Sequence, residues 1–379
     1  MEPPLSSGSW IGILGGGQLG RMSAQAAQRL GYKVRTYDPT PGACAAAVAD
    51  EHITAAWDDT AALQRFMVGL GRVTLEFENI PPATVAKLAQ TIPAHPSATV
   101  LKICQNRRHE KDFLKKVGLP CAPFEVVENL AAFKRAVQKI GFPCVLKTAA
   151  FGYDGKGQIK IPSASTDLDK VWQDLGVEAA VVESWLSFDR EISVLVARTA
   201  EGKMMTFEPA ENIHRNHILH LSVSPATLSP ALVTQAQTLA QTVAEKLDYV
   251  GLLGVEMFVC GSQLIINELA PRPHNSGHQT LDAHVTSQFE QHIRAVCGLE
   301  LASTKLKQPA AMVNLLGDLW KNGQEPNWAL VERVPGAHLH LYGKGKPAPG
   351  RKMGHITVVA STREVARQQA ESLHAALST

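Results

Sequence analysis

Between residues 10 and 100, short apolar runs alternate with helical patterns, and this restricts the start of the chain to a parallel α/β layer. Trp10–Leu14, Lys33–Tyr37, His52–Thr54 and Arg72–Leu75 read as strands, and Gln18–Leu30, Thr60–Gly69 and Ala83–Gln90 as helices. Ligands of such layers sit outside the carboxyl ends of the strands. The turn after the first strand, Gly15-Gly16-Gly17-Gln18-Leu19-Gly20, satisfies Gly-x-Gly-x-x-Gly, and Asp38 ends the next strand about 20 residues on. By rule this is a dinucleotide fingerprint. The safer inference is that backbone amides at this helix N-terminus bind some phosphate. Glu76-Phe77-Glu78-Asn79-Ile80-Pro81 ends a strand at the same edge, where it serves a ligand or caps a helix.

A helix over Asn106–Val117 stops at Gly118-Leu119-Pro120. Residues 120–184 form a smaller β-rich unit with helices over Asn129–Ile140 and Thr166–Leu175. Strands then dominate: Glu191–Arg198, Met204–Glu208, Leu253–Cys260 and Leu264–Glu268. The helix Ala231–Leu247 interrupts them and Val285–Val296 follows. A last unit, 303–379, ends in a helix rich in Ala, Glu and Gln.

With 379 residues, 45% hydrophobic and 19% charged, the chain suits two or three domains with sizeable cores. A formal charge of +2 gives no footprint for nucleic acid, so any anion site is local. No apolar run approaches the roughly 18 residues of a membrane span. Six scattered cysteines with no Cys-x-x-Cys pair suggest neither zinc nor disulfides. The start, Met1–Leu5, lacks the basic and apolar regions of a signal peptide. A reducing cytoplasm is expected.

Three constellations carry chemistry. In Phe151-Gly152-Tyr153-Asp154-Gly155-Lys156-Gly157, three glycines let backbone amides approach an anion, and Lys147 before it supplies a point charge. A nucleotide lid and a plain glycine-rich hairpin turn both fit. Second is the hairpin Gly254–Glu268: a turn centred on Ser262 places Glu256 opposite Glu268 on one face. Like charges about 5 Å apart repel, and a divalent cation between them reverses the sign. Oxygen ligands alone favour magnesium, while a register slip of one residue removes the pair. Third, Asn267–His278 brings Arg272, His274 and His278 into a Pro/Gly-kinked loop beside that site. Weaker signals are the spacing of His214, His217 and His220, which do not share a strand face, and the basic loop of Lys344, Lys346, Arg351 and Lys352.

Taken together these segments resemble the ATP-grasp superfamily and, within it, the N5-carboxyaminoimidazole ribonucleotide synthetases. The likeness runs in order through Gly15–Met22, Glu76–Asn79, Gly152–Gly157 and Asn267–His278. It closes with Tyr342-Gly343-Lys344 and Pro349–His355. Phe151 stands where a glycine is common in the loop, and the N-terminus carries a few extra residues. The resemblance implies an α/β fold with an N-terminal parallel, Rossmann-like domain (1–107), a central ATP-grasp domain (108–302, lid about 120–184) and a small C-terminal domain (303–379). It also implies ATP with Mg2+, held by Glu256 and Glu268 beside Asn267.

By the same resemblance, Arg107 and Lys147 contact the ATP phosphates under the lid Gly152–Gly157, with Tyr153, Asp154, Gly155 and Lys156 at its tip. Glu183, Ser184, Trp185 and Leu186 hold adenine, Glu191 the ribose, and His214 lies near the nucleotide. The ribonucleotide, aminoimidazole ribonucleotide (AIR), meets Gly17, Gln18, Leu19, Glu76, Tyr153, Asp154, Arg272, Lys344 and Arg351, with no dinucleotide involved. Asp154, Arg272 and Lys344 are the catalytic candidates. Bicarbonate is the third substrate and a homodimer the expected assembly, with neither nucleic acid nor membrane as partner. Rival readings are another ATP-grasp ligase, a nicotinamide oxidoreductase resting on Gly15–Gly20 with Asp38, and a non-catalytic nucleotide-binding regulator.

Overall fold

The computed structural model describes residues 3–150 and 157–378. The first layer runs β1 (Trp10–Leu14), α1 (Gln18–Arg29), β2 (Lys33–Asp38), β3 (Glu51–Thr54), α2 (Thr60–Met67), β4 (Leu70–Leu75), α3 (Pro82–Leu88) and β5 (Ala94–His95). Its sheet is parallel throughout, in the order β3-β2-β1-β4-β5. Ile11, Ile13, Val34 and Leu75 are fully or almost fully buried, as expected of a strand layer covered on both faces. Two helices follow, α4 (Ala98–Cys104) and α5 (Arg107–Lys116). Ser97 caps α4 and Asn106 caps α5, each side chain accepting free amides of the first turn. The short β5 and α4 have no signal among the sequence expectations.

The next unit comprises β6 (Phe124–Val127), α6 (Leu130–Ile140), β7 (Cys144–Thr148), β8 (Gln158–Ile161), α7 (Leu168–Leu175) and β9 (Ala180–Ser184). Its antiparallel sheet, ordered β6-β9-β7-β8, packs Cys144, Leu146 and Val182 against Phe133 and Val137 of α6. The second strand of the glycine-loop hairpin, expected over Gln158–Ile161, has those bounds, while the first, expected over Phe142–Lys147, runs Cys144–Thr148; the tip, 151–156, lies outside the described residues.

The third sheet is the largest. It takes in β10 (Arg190–Arg198), β11 (Met204–Thr206), β12 (Ala210–Arg215), β13 (Ile218–Ser224), then, after α8 (Pro230–Lys246), β14 (Gly251–Cys260) and β15 (Gln263–Ala270). Helices α9 (Thr280–Ala283) and α10 (Gln288–Val296) precede β16 (Ala310–Leu316), α11 (Ala329–Glu332), β17 (Ala337–Leu341), β18 (Lys352–Val359) and α12 (Arg363–Leu377). Strand order is β15-β14-β10-β12-β13-β16-β18-β17, with β11 also on β10. Because β13 pairs with β16, residues 303–379 extend the central sheet instead of building a separate one. Strands β12, β13, β16 and β18 escape the sequence reading. Their buried faces carry His220, Ser222, Asn314, His355 and Thr357, which mask the apolar pattern.

Candidate active site

One cavity of about 780 Å3 opens where the carboxyl edge of the first layer meets the two other sheets. Gln18, Leu19, Glu76 and Glu78 line it from the first layer. Lys147 and Glu183–Leu186 line it from the second, and Glu191, His214, Glu256, Asn267, Glu268 and Arg272 from the third.

The hairpin glutamates face each other as expected, by a different route. Cys260 pairs with Gln263, so the turn has two residues, Gly261 and Ser262, not three centred on Ser262. In that register Glu256 would meet Asn267. The register shifts between Met257 and Glu256, leaving Asn267 as the extra residue of a β-bulge and bringing Glu268 opposite Glu256. Burial pushes Glu256 up, but the bond from His274 Nε2 at 3.2 Å and the positive groups near it hold its carboxyl down at about 2. Glu268, with half of its side-chain surface open to the cavity, is raised by burial and by Glu256, against the pull of Arg107.

A cationic cluster sits beside this pair. Glu183, almost fully buried, accepts from Lys147 Nζ at 3.0 Å and lies 3.7 Å from both Arg107 and Lys111. Burial opposes its ionisation, yet these three cations bring its carboxyl down to about 2. Arg107 also reaches Glu268 Oε2 at 3.7 Å and so spans the two groups of carboxylates. Thus the Glu183 side chain gathers three cations beside the cavity, while its backbone sits in the β6–β9–β7 ladder. The next amides are committed too: Ser184 N–H donates to Pro123 and Trp185 N–H to Pro143. Leu186 N–H has no acceptor among the described residues, and Leu186 lines the cavity. Phe188 and Phe258 stack at 4.5 Å on the cavity wall, an aromatic platform the sequence reading missed. His214 Nδ1 bonds Glu191 Oε2 at 2.5 Å; burial pulls the imidazole down, and this carboxylate outweighs it, raising the net value. His217 occupies the following turn, and the ring of His220 packs on that of His374 instead of joining His214.

At the glycine turn the amides are divided between protein and cavity. Gly16 N–H donates to Asp38 Oδ2 at 2.7 Å, and Glu76 takes Gly17 N–H at 2.8 Å and Gly20 N–H at 3.0 Å. Asp38 therefore braces the turn and does not stand open to a ribose. The expectation that Gly17 presents its amide to a phosphate is corrected accordingly. Gln18 and Leu19, whose N–H groups have no protein acceptor among the described residues, are the donors that face the cavity. Lys344 is mostly buried above Tyr342, near Glu76 and Cys44, and desolvation lowers it from the ordinary lysine value.

Two other expected residues sit differently. Arg272 does reach the cavity, but its Nε and one terminal nitrogen grip both oxygens of Glu78, a bidentate pair the sequence did not suggest. Arg351 is exposed and donates to the Lys346 carbonyl at 2.9 Å; its neighbour Lys352 lines the cavity in its place. Tyr153, Asp154, Gly152, Gly155 and Lys156 lie outside the described residues, while Gly157 borders the cavity at φ +73° with Thr148 packed against it. Sequence reasoning missed Glu110 and Lys111, both buried under the hairpin. A charged pair on an ordinary helix carries no motif.

Residues 9–105 match the ribonucleotide synthetase preATP-grasp domain, 112–289 the ATP-grasp domain, and 310–369 the phosphoribosylaminoimidazole carboxylase C-terminal domain. The N5-carboxyaminoimidazole ribonucleotide synthase of Bacillus subtilis (strain 168) is 45% identical over 351 residues, 92% of this chain and 91% of that protein. The ADP complex of an N5-carboxyaminoimidazole ribonucleotide synthetase superposes with a TM-score of 0.93 at 43% identity, covering 99% of this chain and 98% of that one. An Aspergillus clavatus N5-carboxyaminoimidazole synthase, in complex with ADP and 5-aminoimidazole ribonucleotide, gives 0.89 at 30% identity over 98% of this chain and 99% of that one. With its three-part fold and a cavity lined by all three sheets, the chain belongs to the N5-carboxyaminoimidazole ribonucleotide synthase family of ATP-grasp ligases.

Proposed function

We propose that this chain carboxylates AIR on its exocyclic amine, using ATP and bicarbonate and releasing ADP and phosphate, in purine biosynthesis. One observation carries the reading: the cation cluster around Glu183, the opposed hairpin glutamates and the glycine turn share a single cavity. That is the arrangement a nucleotide and a second, phosphate-bearing substrate need.

ATP lies between the β7–β9 layer and the large sheet. Leu186 N–H meets the adenine edge, Trp185, Phe188 and Phe258 flank the base, and Glu191 takes the ribose. Arg107 and Lys147 turn from Glu183 toward the phosphates. Glu256, Glu268 and Asn267 suit magnesium, which takes one or two carboxylates and fills its shell with phosphate and water oxygens. Glu268 is raised by burial and by the like charge of Glu256 opposite it, a repulsion a dication between them would relieve. When bound, magnesium supplies charge neutralisation of the phosphates.

A bicarbonate oxygen attacks the γ-phosphorus and ADP departs, giving carboxyphosphate. Arg272, fixed in orientation by Glu78, offers positive charge to this dianion, and positioning with charge supplies most of the catalysis in phosphoryl transfer. The AIR phosphate rests at the Gln18 and Leu19 amides with Lys344 and Lys352. Its exocyclic amine attacks the carboxyphosphate carbon, or CO2 released from it. Phosphate leaves and the amine loses a proton, for which Asp154 is the candidate acceptor. By the family likeness, the segment 152–157 is the candidate for excluding water from the mixed anhydride. Six free cysteines accord with a reducing cytoplasm. The homodimer rests on the family likeness, and sedimentation velocity tests it.

The deciding assay is steady-state ADP formation in bicarbonate with and without AIR. Turnover that needs both supports the reading. ADP release driven by formate, or indifferent to AIR, sinks it.

A further inference from the structure

The bulge that brings Glu268 opposite Glu256 is held from outside the hairpin. β15 is an edge strand, so its outward N–H and C=O groups need partners from elsewhere in the chain. Three have them in succession. Ile266 N–H donates to the Pro120 carbonyl at 2.8 Å. The carbonyl of Asn267, the bulge residue itself, accepts from Lys111 Nζ at 3.1 Å. Leu269 N–H donates to Glu110 Oε2 at 2.9 Å.

Glu110 and Lys111 are consecutive on α5 and only 2% and 0% exposed. Burying two ionisable side chains costs free energy that a well-packed apolar pair avoids. An apolar pair, however, binds neither a carbonyl nor an amide. The two contacts fall on the residues immediately before and after Glu268. Without them the two-residue turn favours continuous pairing, which sets Asn267 opposite Glu256 and turns Glu268 to the other face. Lys111 also lies 3.7 Å from Glu183, linking the hairpin to the phosphate-binding cluster.

We infer that Glu110 and Lys111 are positioning residues for the proposed cation site: they lock the bulge at Asn267 and so fix Glu268 opposite Glu256. This rests on the magnesium assignment made above for the two hairpin glutamates.

The test uses the full chain with Glu110→Ala, Glu110→Gln, Lys111→Met and Glu268→Gln. Three quantities are read: Mn2+ affinity of the ADP complex by electron paramagnetic resonance, metal-free ADP affinity by calorimetry, and amide exchange of the peptide containing Leu269. In Glu110→Ala, Mn2+ affinity falls roughly tenfold or more while metal-free ADP affinity moves less than about threefold, and the Leu269 amide exchanges faster. Glu110→Gln keeps an oxygen for Leu269 N–H and restores most of the Mn2+ affinity. Lys111→Met, which frees the Asn267 carbonyl and also takes one cation from Glu183, gives a loss of Mn2+ affinity larger than its change in metal-free ADP affinity, and serves if Glu110→Ala does not fold. Wild-type Mn2+ affinity in whichever of these two folds overturns the inference. Glu268→Gln separates the levels. If it too binds Mn2+ like wild type, the metal assignment fails and the inference with it. If it alone loses affinity, only the clamp fails.

Discussion

Glu256 and Glu268 stand directly opposite on β14 and β15 because Asn267 is an extra residue in its strand. A site that depends on one inserted residue is sensitive to its removal. Deleting Asn267 is expected to restore continuous pairing, turn Glu268 away, and lower AIR-dependent ADP formation roughly 100-fold, at the upper end of losses from disturbed metal support. Asn267→Ala keeps the bulge and retains more activity than the deletion. Equal activity in the two variants would show that register is not what matters here.

Glu183 titrates far below an ordinary glutamate because Lys147, Lys111 and Arg107 surround it. A depressed carboxylate adds stability that is complete above its unfolded value of 4.5 and is lost as pH falls through about 2. Lys147→Met removes the nearest cation, so the stability lost on acidification across that window should shrink relative to wild type. ATP binding should weaken as well, by roughly tenfold for one lost charge contact of about 1.5 kcal/mol. Urea unfolding midpoints between pH 5 and about 2.5, read by fluorescence, check the first claim, with the window set by linkage.

His292 is completely buried, its Nδ1 accepting from Leu252 N–H at 3.1 Å and its Nε2 paired with Thr74 Oγ1 at 2.8 Å. Burial holds it down at about 3. The unfolded chain takes up this proton below 6.5 and the folded one does not, so stability falls as pH drops from 6.5 toward about 3. His292→Gln is expected to lower stability at neutral pH and to flatten that slope. An unchanged slope would assign the acid sensitivity to other buried histidines.

Gly16 has no room for a side chain. A Cβ there would sit 2.4 Å from the Ala43 methyl carbon and 2.9 Å from the Asp38 Cβ. Gly16→Ala must shift the turn that carries Gln18 and Leu19, costing about 1–3 kcal/mol of stability by overpacking. The Michaelis constant for AIR should rise more than that for ATP. Equal rises would place the ribonucleotide elsewhere.

The sequence alone located most α/β elements, because buried parallel strands and capped amphipathic helices are written in local periodicity. It also singled out Arg272 and Lys344 within contiguous family motifs, Lys147 and the two hairpin glutamates from strand and turn patterns, and Glu183, Glu191 and His214 through the family likeness. Contacts between residues distant in the chain have no such local signature. Arg272 lies 194 positions from Glu78, Lys111 lies 156 from Asn267, and neither pair follows from periodicity. Gly17 and Arg351 show the converse: their motifs are intact, yet neighbours take the Gly17 amide and leave Arg351 in solvent. Glu256 and Glu268 were paired on a three-residue turn, and the chain reaches the same pairing through a two-residue turn and a bulge. Local sequence thus determined which residues carry charge and which strands bear them. Tertiary structure decided which face Glu268 occupies, because a bulge is favoured only where partners such as Glu110 and Lys111 satisfy the backbone groups it frees.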